Sequence, residues 1–211
     1  MCAVPRAARC LAALLALVVL VPACSESDAP KSTASPSVPL PTLPPGELRE
    51  RVLQPGEVGN SLVPIAAQTG ARDVNGIAAF SADPKAAEKA LEKNGFQAAY
   101  VVQYADPATS AVVTNVVTKF AASSGATADL TADLTSSDRT GTPFSVTGLG
   151  DQAGGVRGKR DDASADGTLV TLRWRRGDTT WLLAVSASTP VDEAGVRKLA
   201  DRLMERLASG A

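Results

Sequence analysis

Two runs of alternating residues, TLVTLRWRR (168–176) and TTWLLAVSA (179–187), are separated by Gly177-Asp178 alone. No other stretch narrows the fold as far. A glycine at the first of two loop residues suits a type II′ turn, whose twist matches that of the strands it joins. Such a turn fixes the register. Arg176 stands opposite Thr179, and therefore Trp174 opposite Trp181. Side chains alternate between the two faces of a strand. Val170, Leu172 and Trp174 then share a face with Trp181, Leu183 and Val185, which predicts a core face closed by a cross-strand tryptophan pair. Arg173 and Arg175 fall on the other side and predict a basic outer face.

That separation decides what RWRRGDTTW (173–181) can do. Single-stranded nucleic acid is held where aromatic rings and cations share one surface. Here the strand puts them on opposite surfaces, so no nucleic-acid partner is expected. Arg176-Gly177-Asp178 spells an adhesion tripeptide, but the turn already accounts for Gly-Asp.

The remaining chain predicts elements that can pair with this hairpin. In SADPKAAEKALEKNGF (81–96), Asp83 reads as an N-cap, Pro84 as the first helical residue and Asn94-Gly95 as the stop. FQAAYVVQY (96–104) and AVVTNVVTKF (111–120) read as paired strands around the turn ADPATS. Phe96, Ala98, Tyr100, Val102 and Tyr104 fall on one face by alternation. GATADLTADL (125–134) reads as a helix with Ala126, Leu130 and Leu134 along one side. Residues 143–160 read as one or two glycine-broken strands. TPVDEAGVRKLADRLMERLA (189–208) reads as a closing helix, capped by Thr189 and striped by Val196, Leu199, Leu203 and Leu207.

Strand, strand, helix therefore occurs twice, over 97–134 and 168–207. This order predicts an α+β domain, an antiparallel sheet with helices packed on one face. The element order also resembles that of the extracellular sensor domains of bacterial serine/threonine kinases.

The N-terminal end carries a different signal. Arg6 and Arg9 precede the apolar run LAALLALVVLV (11–21), which ends in VPAC. The run is too short for a comfortable membrane span and suits the h-region of a signal peptide. Val21, Pro22, Ala23 and Cys24 resemble the lipobox of bacterial lipoproteins. The resemblance implies cleavage before Cys24, lipid on its thiol, and a protein held on the extracytoplasmic side of the cell membrane. Proline at the second lipobox position departs from the usual pattern. Residues 1–23 are then a signal peptide, and 24–45 a lipidated cysteine followed by a tether. Six of residues 25–45 are proline. In polyproline II form such a stretch reaches roughly 60 Å. Residues 46–211 form a single domain.

Composition limits the chemistry available to that domain. The chain has no histidine, and its three cysteines are Cys2, Cys10 and Cys24. This excludes a histidine-dependent triad and most zinc sites. The formal net charge of -1 gives no general pull toward polyanions. No nucleophile motif is present, so no catalytic residue and no cofactor-binding residue is assigned. Asp162, Ser164, Asp166 and Gly167 match positions 1, 3, 5 and 6 of an EF-hand loop, but position 12 is Arg173, where a bidentate carboxylate is needed. No metal site is assigned, although whether those oxygens hold a cation stays open. GLGDQAGG (148–155) lacks the lysine and helix context of a phosphate loop.

The reading is a non-catalytic binding or accessory module at the cell envelope. Its contact surface is expected in the loops around 148–167, with Asp151 and Asp161 among its residues. The expected partners are the membrane, through lipid on Cys24, and an envelope protein, glycan or lipid ligand. The alternatives are a carrier of an apolar ligand and a hydrolase using scattered carboxylates.

Overall fold

A computed structural model describes residues 45–136, 141–159 and 167–209. In chain order its helices are α1 (Pro45–Arg49), α2 (Pro55–Val58), α3 (Val74–Ala78), α4 (Pro84–Lys93), α5 (Ser123–Thr135) and α6 (Glu193–Ser209). Its strands are β1 (Val63–Pro64), β2 (Gly70–Arg72), β3 (Phe96–Asp106), β4 (Ala111–Phe120), β5 (Thr142–Phe144), β6 (Gln152–Lys159), β7 (Thr168–Arg176) and β8 (Thr179–Ala187). They build an antiparallel sheet in the order β1-β3-β4-β8-β7-β6-β5, with β2 also on β3. The short edge strands β1 and β5 each carry a proline, Pro64 and Pro143, which leaves little free edge for another chain to extend.

The α+β class and the antiparallel sheet are as the sequence predicts. The β7–β8 hairpin keeps the predicted register, with Trp174 opposite Trp181 and Arg176 opposite Thr179. The two indoles stack with centroids 5.9 Å apart and planes 5° from parallel. They lie in a core with Val170, Leu172 and Leu183, the β4 residues Val113 and Val117, and the β3 residues Val102 and Tyr104. Each indole N–H is used, as buried tryptophans require. Trp174 Nε1 donates to Met204 Sδ at 3.2 Å, and Trp181 Nε1 to the Arg51 carbonyl at 2.9 Å. Val196, Ala200 and Leu203 of α6 close this core face, together with Leu48, Val52, Leu53 and Val58.

The helices do not all lie on one face. A second cluster of Ala78, Leu91, Phe96, Ala99, Phe120 and Ala126 fills the opposite side, beneath α3, α4 and α5. The expectation of one covered face came from the repeated strand-strand-helix order, and the outer arginines of the hairpin read as solvent-facing. They are instead partly covered by α5, which brings carboxylates to Arg173. Phe96 also changes sides. The register shifts between Phe96 and Ala98, so Phe96 joins Phe120 and Ala99 rather than Tyr100 and Tyr104.

Two helix starts show how caps are chosen. At α4, Asp83 Oδ1 accepts from the Ala86 amide at 3.0 Å, as its spacing predicts. At α6 the cap is Asp192, not Thr189. Its carboxylate accepts from the Ala194 and Gly195 amides at 3.1 and 3.0 Å. Thr189 is occupied elsewhere, its carbonyl accepting from the Thr168 hydroxyl at 2.9 Å. That hydroxyl also accepts from the Val191 amide at 2.7 Å, which holds 189–191 as a link to β7.

The segment from α1 to α2 is strapped across the core face. The Leu53 amide donates to Asn115 Oδ1 at 2.9 Å, and the Leu53 carbonyl accepts from the Tyr104 hydroxyl at 2.8 Å. Asn115, fully buried on an otherwise apolar face, spends its Nδ2 on the Leu182 carbonyl at 2.8 Å. From α6, Arg206 donates to the Val52 carbonyl at 2.7 Å and to Glu57 Oε1 at 2.9 Å. Buried polar groups are costly unless partnered. These partners meet that demand and fix the strap in register.

Candidate functional site

Three neighbouring features surround the tip of the β7–β8 hairpin. The first is a clasp. Gly177 takes φ +60°, and no other residue of the turn has a positive φ, which is the type II′ pattern. Asp151 Oδ2 accepts from the Gly177 amide at 2.8 Å and from Arg175 at 3.1 Å. The Asp151 amide in turn donates to the Arg175 carbonyl at 2.7 Å. Gly150 sits at φ +69°, where a Cβ would lie 2.3 Å from that carbonyl. Further along, a Cβ on Gly154 would lie 2.5 Å from Leu134 of α5. The glycine-rich stretch 148–155 therefore serves close packing, and Asp151 is committed to the turn. Of the residues expected to make contacts, Asp151 lies here. Asp161, Asp162, Ser164 and Asp166 lie outside the described residues, as does Cys24.

The second feature is an ion-pair cluster under α5. Arg173 reaches Asp133 at 2.5 Å and Asp129 at 3.6 Å. Burial pushes the Asp129 carboxyl above the usual carboxylate range, although the Arg173 charge and a Thr180 hydrogen bond pull against it. Burial also lowers the Arg173 guanidinium, and the Asp129 charge offsets part of that. Among the described residues the Nε atoms of Arg173 and Arg175 are buried without a hydrogen-bond partner. The sequence placed Arg173 at the twelfth position of a calcium-like loop. In the fold its side chain serves α5.

The third feature is a shallow cleft of about 260 Å³, lined by Arg51, Arg176, Asp178, Thr179, Trp181 and Leu207. It draws its walls from the strap, the hairpin tip and the end of α6. Asp178 is already engaged, pairing with Lys119 and accepting from the Thr179 hydroxyl at 3.1 Å. Burial would raise its carboxyl, but Lys119 and Thr179 together hold it below the usual range. Arg51 pairs with Glu47 one turn away in the chain. Arg176 is exposed and makes no ion pair among the described residues. Sequence reading reached Arg176, Asp178 and Trp181 as parts of a turn. It had no signal for Arg51 or Leu207, which lie far away in the chain and meet the hairpin only through tertiary packing. Among the described residues, no group of three or more acidic, cysteine or histidine side chains is placed to hold a metal. No helix there is long and apolar enough to cross a membrane.

Comparison with known proteins adds little. No family model matches the chain, and no curated protein matches it. Among solved structures, the extracellular domain of PknH from Mycobacterium tuberculosis is similar at a TM-score of 0.49 and 13% identity, covering 79% of this chain and 99% of that one. A likeness of this size carries no functional weight for this chain.

Proposed function

We propose that the protein is an envelope lipoprotein, anchored through lipid on Cys24 on the extracytoplasmic side, whose domain is a non-catalytic binding module. The observation that supports it is the strap. The first described segment after the proline-rich stretch is pinned to β3, β4, β8 and α6. Its Arg51 then forms one wall of the cleft. The carboxylates described around the hairpin are engaged in packing and ion pairs, which suits a scaffold better than an acid–base pair. The partner class is an envelope protein, glycan or lipid, with no nucleic acid.

Two measurements test this. A fatty-acid analogue fed to cells is expected to label the wild type and not Cys24→Ala. A mutant that keeps both label and membrane fraction sinks the anchoring. Crosslinking in the native envelope is expected to capture a partner. Turnover of a cell-wall or lipid substrate by the purified protein would replace the binding reading with an enzymatic one.

A further inference from the structure

The geometry points to a small organic anion as the occupant of the cleft: one carboxylate or phosphate on a short apolar stem. This inference rests on the reading of the domain as a binding module and names the ligand class for that site. The charges inside the cleft are unequal. Asp178 has its countercharge in Lys119 and a hydroxyl donor in Thr179. Arg51 has one in Glu47, but that pair is partly exposed and spaced i,i+4, with Arg51 two residues past the end of α1. Such pairs contribute little and are readily exchanged. Arg176 has none among the described residues. An anion entering here meets one unpaired guanidinium and a second whose partner is easily displaced. Planar guanidinium groups suit carboxylate and phosphate oxygens.

The stem follows from the other walls. Leu207 and the edge of the largely buried Trp181 form apolar walls beside the two arginines. Trp181 is also held in place, because its indole N–H is fixed to the Arg51 carbonyl at 2.9 Å. That bond couples the aromatic wall to the residue bearing one of the charges. The size sets a limit. Whole-ligand pockets run from about 300 Å³ upward. At about 260 Å³ this cleft takes a headgroup and a few carbons, not a large molecule.

The test is a titration of the 15N-labelled full chain, held in a neutral detergent, with pentanoate, monobutyl phosphate, inorganic phosphate and pentanol. The reporters are the two indole N–H signals and the Arg176 Nε–H. Pentanoate or monobutyl phosphate is expected to shift the Trp181 and Arg176 signals saturably and leave Trp174 in place, and the tighter of the two names the headgroup. Arg176→Gln is expected to weaken that binding about tenfold, as loss of a charged hydrogen-bond partner does. Glu47→Gln, which frees Arg51, is expected to tighten it about twofold, the worth of a displaced i,i+4 pair. An unmoved Trp174 signal in both variants shows that the core is intact. The inference is overturned by no saturable shift with either anion, by pentanol or inorganic phosphate binding equally well, or by unchanged binding in Arg176→Gln. Envelope crosslinking judges the broader reading separately. Capture of a partner without anion binding removes this ligand class and keeps the module.

Discussion

The units β3–β4–α5 and β7–β8–α6 share an order of elements but not a way of packing. β8 ends at Ala187 with the parity of Trp181 and Leu183, and α6 returns over that core face with Val196, Ala200 and Leu203 buried. β4 ends at Phe120 on the other side, and α5 follows after two residues and stays there. The attachments differ as well. α6 covers the stacked tryptophans largely with aliphatic side chains. α5 buries Ala126 and Leu130 but also sets Asp129 and Asp133 against Arg173. Element order alone did not say which face a helix would cover. The side chains at the end of the preceding strand, and the partners waiting on each face, did.

The sharpest break in the comparison lies on the α6 side. Trp174→Ala is expected to cost about 3–5 kcal/mol, the range for a core aromatic, in a urea titration. A cost below 1 kcal/mol, on the scale of ordinary surface changes, would mean that the stack is not central to the core.

On the α5 side, Arg173→Ala is expected to cost about 3 kcal/mol, because it leaves carboxylates buried without their cation. The double change Arg173→Met with Asp129→Leu should recover much of that loss, since apolar side chains often replace buried pairs at little cost. A near-neutral Arg173→Ala would return the residue to the solvent-facing role that simple alternation assigns.

Between the two lies Tyr104, on the core face of the first unit. Burial pushes its hydroxyl up to about 12, with a smaller contribution from the Glu57 charge. The folded state therefore holds this proton more tightly than the unfolded chain, where tyrosine titrates near 10. Its contribution is fully present below about pH 10 and is lost as pH rises through 12. The loss is on the order of 2 kcal/mol across that window. Unfolding measured from pH 9 upward should show the decline, and Tyr104→Phe should flatten it. An unchanged slope in the variant would remove Tyr104 as its source.

The smallest effect separates two candidate caps. Asp192→Ala is expected to cost about 1 kcal/mol, the usual worth of an N-cap. A threonine cap at 189 would instead make Thr189→Ala the costly change in thermal unfolding.

Legibility in the sequence followed the range of the interaction. The hairpin register, the Asp83 cap and the α4 stop rest on residues within a few positions of one another, and all were readable. The Arg173 cluster was not, because its acids lie some forty residues upstream, on a helix whose face cannot be known until β4 is placed. Phe96 was misplaced because a bulge interrupts the period of two. The cap at α6 was displaced by Thr168, a residue of another strand. The cleft was least visible. It joins Arg51, Arg176 and Leu207, which no local pattern connects.

The strap has a mechanical consequence. A pull exerted on the chain ahead of residue 45 does not first reach an edge strand. It arrives at Arg51, Val52 and Leu53, each held by side chains reaching out from β8, α6, β4 and β3. Load entering there is shared at once among distant parts of the domain. How long the domain survives under tension is then set by the rate at which this junction gives way, rather than by its equilibrium stability.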